Sequence, residues 1–196
     1  MTNLHQKIST HQSYFICIED DLLHLSRWID FSEANASVYS IELARLLMTA
    51  SAEVEIIAKA ICKATCKKPV PENIIGYQKI LMNAAPQLPD VKVHMPRYGM
   101  VFQPWSCWRV AEKSPDWWSA NNAIKHDRAN EFHGANLGNV LNAVAGLLVL
   151  LMLLHSEKND YLYPAPRLFE PDTFAIREGP ALRLIVTNTT NFSWCN

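Results

Sequence analysis

A chain of 196 residues with 49% apolar and 19% charged side chains is long enough to bury one real core. It is too short for two full domains, and its balance is that of a folded chain rather than a disordered one. A formal net charge of −1 excludes a bulk polycation, so any contact with nucleic acid must come from a local basic patch.

The first helix is predicted over 10–29, where Tyr14, Ile16, Leu22, Leu23, Leu25 and Trp28 recur at helical spacing with Asp20 and Asp21 outside. The stretch FSEANASV then breaks it. From Tyr39 to Thr65 the pattern is clearer, because Ile41, Leu43, Leu46, Leu47, Ala50, Val54, Ile57, Ala58 and Ile61 recur at threes and fours with no Gly or Pro between them. Ser40 is the expected N-cap and Glu42 a favourable charge near the first turn. Glu55 and Lys59 are spaced for an i,i+4 ion pair. Glu53 is read either as surface or as a carboxylate inside the bundle that steadies Arg128 or Lys125. Cys62 and Cys66 share a face of this helix and read as small residues on a packed surface. A metal site would need further ligands such as His94 and Cys107, which nothing in the spacing demands, so neither metal nor cofactor is expected. The five cysteines are odd in number and irregularly spaced. With the polar opening MTNLHQKISTHQ, this predicts free thiols in a reducing cytoplasm.

The prolines of KKPVPEN end the second helix. A third runs over 73–84 and stops before Pro86 and Pro89. Residues 91–113 mix β-branched and aromatic residues with Pro and Gly, and predict an extended, locally basic insert carrying Lys92, His94, Arg97 and Arg109. Ser114, Pro115 and Asp116 open a fourth helix that runs to about Arg128 and buries Trp117, Ala120 and Ile124. Trp117 and Trp118 are adjacent and cannot share a helix face. One is therefore expected in the core and the other at the surface, in an interface or as a base-stacking platform. Gly134 breaks or bends the chain before a last helix over 135–155. Its run AVAGLLVLLMLL falls short of the roughly 20 apolar residues that span a bilayer. It reads as a buried core helix, part of whose face is open to a dimer seam, and no membrane association is expected. The tail is predicted to form a β-hairpin around Glu178, Gly179 and Pro180 that could pair with 91–103. The fold class is mainly all-α: a bundle of about five helices over 1–160, including the insert 91–113, with the tail 161–196 in the same domain.

The informative stretch runs from Trp117 to His133, WWSANNAIKHDRANEFH. Lys125, His126, Asp127, Arg128 and His133 gather at the joint between two helices, and Asn122 shares the face of His126 one turn earlier. Asn122, Lys125, His126, Arg128 and His133 can each hydrogen-bond to a phosphate or a ribose. An apolar bundle has little structural reason to collect them at one joint. The plainer readings are a packing or capping role for His133, a solvated or ion-paired Arg128 at a helix end, and an Asp127 that pairs with Arg128 or Lys125.

Arg128-Ala-Asn-Glu-Phe-His133 has the form R-x4-H just ahead of the last long helix of a small helical bundle. In this it resembles the HEPN superfamily, whose members carry R-x(4–6)-H at that place. The segment WWSANNAIKHDR and the run YSIELARLLMTASAEVEIIAK are similar to bacterial HEPN-like proteins found beside defence and toxin–antitoxin systems. The resemblance covers about residues 10–155. It implies a metal-independent ribonuclease, with His133 as general acid or base and Arg128 as the clamp on the phosphorane oxygens. Asn122, Lys125, His126, Asp127 and Asn130 would hold the RNA. It further implies a homodimer in which two such motifs share one cleft, and leaves room for an antitoxin or other protein partner. Ala129 departs from the pattern, since catalytic members commonly have a polar residue after the arginine, leaving Asn130 or Asp127 to supply one. A different pairing, His126 with Arg128, would make His133 incidental. The alternative functions are a non-catalytic module that binds RNA, a nucleotide or a partner protein at the same joint, and a structural subunit of a larger assembly.

Overall fold

Ser9 opens the first helix, α1 (Thr10–Leu25), by accepting the amide of Gln12 at 3.2 Å. The computed structural model describes residues 9–65, 69–156 and 162–172, and the backbone of 175–178 and 181–184. α1 buries Phe15, Ile18, Leu22 and Leu25 and ends four residues earlier than its periodicity predicts. The Ser26 hydroxyl donates to the carbonyl of Leu23 at 2.9 Å, a local bond that competes with helix continuation. Trp28 therefore leaves the buried stripe and is 85% exposed, while Phe31 turns back into the core.

α2 (Ile41–Thr65) begins where Ser40 accepts the amide of Leu43 at 3.1 Å. Its 25 residues reach roughly 37 Å at 1.5 Å per residue. Lys59 and Glu55 form the expected pair at 2.6 Å. Cys62 is buried, and Cys66 lies outside the described residues. α3 (Ile74–Ala84) is capped by Asn73, whose Oδ1 accepts the amide of Gly76 at 2.8 Å. The predicted insert contains a hairpin, β1 (Val93–Met95) and β2 (Met100–Phe102), turned by Gly99 at φ +63°.

The region predicted as one helix from Asp116 to Arg128 is two: α4 (Asp116–His126) and the single turn α5 (Arg128–Glu131). A 3-10 turn at Phe132–Gly134 then leads into α6 (Leu137–Ser156). The described residues thus hold six helices rather than about five, in a mainly helical fold. α6 packs against α1, α2 and α4, and nearly every residue from Ala143 to Leu153 is buried. A segment as apolar as 143–154 is stable where its sides are covered, and here the other helices cover them. It is also the one helix among the described residues long and apolar enough to cross a membrane. Enclosed as the bundle's core, it is compatible with a soluble protein.

Both tryptophans of α4 are buried, contrary to the expectation that one would face outward. The insert covers Trp117, and α4 also packs on α2 and α6. Trp105 and Trp108 fold over α4, with Trp105 at 5.3 Å from Trp117, and Trp117 in turn at 5.9 Å from Trp118. The indole N–H of Trp117 donates to Pro104 at 3.1 Å and that of Trp105 to Gly146 at 3.3 Å. A Cβ on Gly146 would stand 3.2 Å from the Trp117 ring and 3.3 Å from the Trp105 ring, so this helix interior accepts only a hydrogen there without shifting the cluster.

The predicted pairing of the tail hairpin with the insert is not what forms. β4 (Ala175–Glu178) and β5 (Ala181–Leu184) make their own two-stranded sheet, with Gly179 and Pro180 outside the described residues. The strand that joins β1 is β3 (Glu170–Pro171), completing an antiparallel sheet of order β2-β1-β3. The buried carboxylate of Glu19 decides this. Its Oε1 accepts the amides of Arg167 and Leu168 at 2.9 and 2.8 Å, tying the chain to α1 just before it reaches the sheet. Leu162, Leu168 and Phe169 are buried in the same core as the helices.

Candidate functional site

Asp127 makes the joint. At φ −143° and ψ 66° it leaves helical geometry, ending α4 through its own amide, which donates to Ala123 at 2.8 Å. Its carboxylate then starts α5, accepting the amide of Asn130 at 3.4 Å and the Asn130 Nδ2 at 3.0 and 2.8 Å. Asp127 therefore pairs with Asn130, and not with Arg128 or Lys125 as the charge pattern suggests. The two residues expected to compensate for Ala129 are committed to each other, and Ala129 itself is exposed.

The break distributes the candidate residues over three elements. Asn122, Lys125 and His126 lie on α4, Arg128 and Asn130 on α5, and His133 on the following 3-10 turn. Lys125, His126, Asp127, Arg128, Asn130 and His133 are all exposed, and Asn122 is half-buried. The backbone carbonyl of His133 accepts Asn136 Nδ2 at 3.2 Å, which holds the turn and leaves the imidazole outside it.

Arg128 is turned toward α2. Its Nη2 donates to Met48 Sδ at 3.5 Å, and among the described residues no carboxylate lies within ion-pair distance of it. Thioether sulfur is a weak acceptor, so most of the guanidinium's donor capacity is open to a ligand. Arg128 and Phe132, four residues apart, form one wall of a groove of about 680 Å³ whose other wall is Ile41, Ala44, Arg45, Met48 and Thr49 of α2. His133 is not among the lining residues. The structure thus brings Arg128 to Phe132 and α2, while His133 stands on the next position of the turn.

The cations around the groove differ. Arg45 is held by Asp21 at 2.6 Å and by Glu42 at 2.5 Å, and these two carboxylates push its pKa up. Glu53, considered above as a support for Arg128 or Lys125, is buried instead beside His11, 3.4 Å from its Nδ1. Of the metal alternatives, His94 faces Asp172 at 3.5 Å, and burial raises the pKa of the Cys107 thiol. No group of three or more His, Cys, Asp or Glu side chains among the described residues is placed to hold a metal ion.

Three features escaped the sequence reading. The sequence pattern does not single out Met48 or Phe132, and only the approach of α5 to α2 makes them the walls of a groove. Asn121 was passed over for Asn122. It is fully buried, and neither its Nδ2 nor its Oδ1 has a hydrogen-bond partner. The signal was present, because Trp117, Asn121 and Ile124 are spaced four and three apart on the inward face of α4. Comparison of this chain with protein-family models, with curated proteins and with solved structures returned no match.

Proposed function

We propose that this protein is a metal-independent endoribonuclease of HEPN type, acting in the cytoplasm as a homodimer in a toxin or antiviral setting. The observation that carries the reading is Arg128. It is an exposed guanidinium without a carboxylate partner among the described residues, at a helix break that also exposes Lys125, His126 and His133. Free thiols at Cys17 and Cys107 suit a reducing compartment.

The chemistry needs little beyond these groups. A base takes the proton of a ribose 2′-hydroxyl, and the oxygen attacks the adjacent phosphorus. The bond to the 5′-oxygen breaks, and that oxygen leaves with a proton from an acid. The products are a 2′,3′-cyclic phosphate and a 5′-hydroxyl. Histidine titrates near neutrality and can serve as either proton carrier. In a two-fold dimer, His133 of one protomer would act as base and its counterpart as acid. Arg128 would fork two donors onto the phosphorane oxygens. Lys125, His126 and Asn122 would hold the flanking backbone.

A second reading has its own observation. Because Asp127 and Asn130 are engaged with each other, nothing polar replaces the side chain missing at Ala129. That favours an HEPN-like module that binds RNA, or an antitoxin or other partner, at the same joint without turnover. One experiment separates the two. Purified protein is incubated with RNA in EDTA, alongside Arg128→Ala and His133→Ala. The ribonuclease reading expects cleavage to a cyclic phosphate that both variants lose. Salt-sensitive binding without cleavage, retained in His133→Ala, assigns the binding module. Neither cleavage nor any slowing of growth on expression sinks the ribonuclease.

A further inference from the structure

We propose that the groove between α2 and the α5 turn is a nucleobase subsite: one base of single-stranded RNA lies against Phe132 and Met48 while its phosphate meets Arg128. The inference rests on the RNA reading above and supplies that site with its grip on substrate.

The groove, at about 680 Å³, falls within the range of roughly 300–1,000 Å³ typical of small-ligand sites. Its walls are mainly apolar, with Ile41, Ala44 and Met48 of α2 and the ring of Phe132, while Arg45 and Thr49 add polar atoms on the α2 side. That ring also packs against Tyr39, at 5.8 Å and nearly perpendicular, an edge-to-face contact that restrains it. The Thr49 hydroxyl has its one proton engaged, donating to the carbonyl of Arg45 at 2.8 Å, and can only accept from an occupant.

Charge selects the occupant. Arg45 is neutralised by two carboxylates, whereas among the described residues Arg128 has only a thioether. The groove therefore presents apolar walls with one uncompensated cation at their edge. The complement is a flat apolar body carrying a single anionic group, which describes one nucleotide. The lining contains no Asn, Gln, Asp or Glu, so no amide or carboxylate reads the hydrogen-bonding edge of a base there; of its two arginines, Arg45 is held by carboxylates and Arg128 is assigned to the phosphate. The subsite should accept any base by its π-face and prefer purines for their larger stacking area.

The test uses non-cleavable 2′-O-methyl oligonucleotides read by fluorescence anisotropy on the full chain. An oligoadenylate should bind more tightly than an oligouridylate, and 2-aminopurine at the bound position should be quenched. Phe132→Leu should weaken oligoadenylate binding about tenfold, in the range of one lost base–aromatic stack. On the unaltered protein, one abasic position should cost a similar factor, and Phe132→Leu should add nothing further to that loss. The abasic probe keeps the result independent of how well the variant folds. Equal affinity for abasic and intact probes overturns the subsite, and if Arg128→Ala still weakens binding the RNA reading stands without it. Absence of any RNA binding by the unaltered protein overturns both. An acidic amphipathic peptide that protects Phe132 where RNA does not would assign the groove to a protein partner and overturn the proposal.

Discussion

Asp127 ends one helix and starts the next, so replacing it separates geometry from charge at the candidate site. Its contact with the Asn130 amide is long, at 3.4 Å, and its two contacts with Asn130 Nδ2, at 3.0 and 2.8 Å, are exposed to water. Removal of the side chain in Asp127→Ala should therefore cost about 0.5–1 kcal/mol, the low end of the range for lost N-caps. For a chain of this size that lowers Tm by roughly 1–4 °C. The effect is local, because α5 is one turn long and Arg128 is its first residue. Fraying that turn frees Arg128 from Met48 and from the groove. Asp127→Asn keeps a capping carbonyl and loses only the charge, so Tm should hold. Loss of a negative charge beside the phosphate path should tighten RNA binding by up to about fivefold at low salt. Asp127→Ala has the same electrostatic gain but a disordered arginine, so its RNA affinity and cleavage should fall below those of Asp127→Asn. Thermal melting by circular dichroism and anisotropy with a short RNA measure both quantities. If the Ala and Asn variants match in Tm and in RNA affinity, the cap does not position Arg128 and the reasoning is wrong.

Glu19 tests how the tail is fastened. Burial raises its pKa above the ordinary 4.5, opposed in smaller measure by the amides of Leu168 and Arg167 and by the Arg167 guanidinium. The folded state therefore holds this proton more tightly than the unfolded state. The resulting stability is fully present below about pH 4.5 and is lost as pH rises through the raised value. Glu19→Gln still offers an oxygen to both amides and does not titrate. Urea midpoints from pH 4 to 8 should show wild type losing ground to Glu19→Gln with rising pH, and a constant or opposite difference would contradict the assignment. Asn121 tests the unpartnered amide in α4. Asn121→Leu removes two buried polar atoms without partners and should stabilise the fold by about 1–3 kcal/mol in denaturant titrations. A loss of stability would mean that the amide is satisfied by something bound to it.

The helices were legible because their signals are local. Ser40 and Asn73 cap where a short side chain precedes an apolar period, and the i,i+4 spacing of Glu55 and Lys59 gives their ion pair directly. The core role of α6 follows from its having no polar face. Errors arose where distant segments compete for the same residue. Trp117 and Trp118 are both buried because the insert covers Trp117 while α2 and α6 pack on α4, neighbours that no helical wheel of α4 contains. β1 pairs with Glu170–Pro171 because Glu19, about 150 positions away, fixes the preceding amides. Glu53 faces His11 because α1 crosses α2 at that height.

The same division holds at the site. By itself the sequence determined that Lys125, His126, Arg128 and His133 would lie exposed around a helix joint, since their order and the polarity around them leave no buried place for them. Only the tertiary structure decided which of them shares a surface with what. The break at Asp127 turns α5 onto α2, so Arg128 meets Met48 and Phe132 at a groove while His133 stands outside its lining. A one-residue departure from helical φ and ψ redirects every side chain after it. The groove that results belongs to two helices that are some 80 positions apart in the chain.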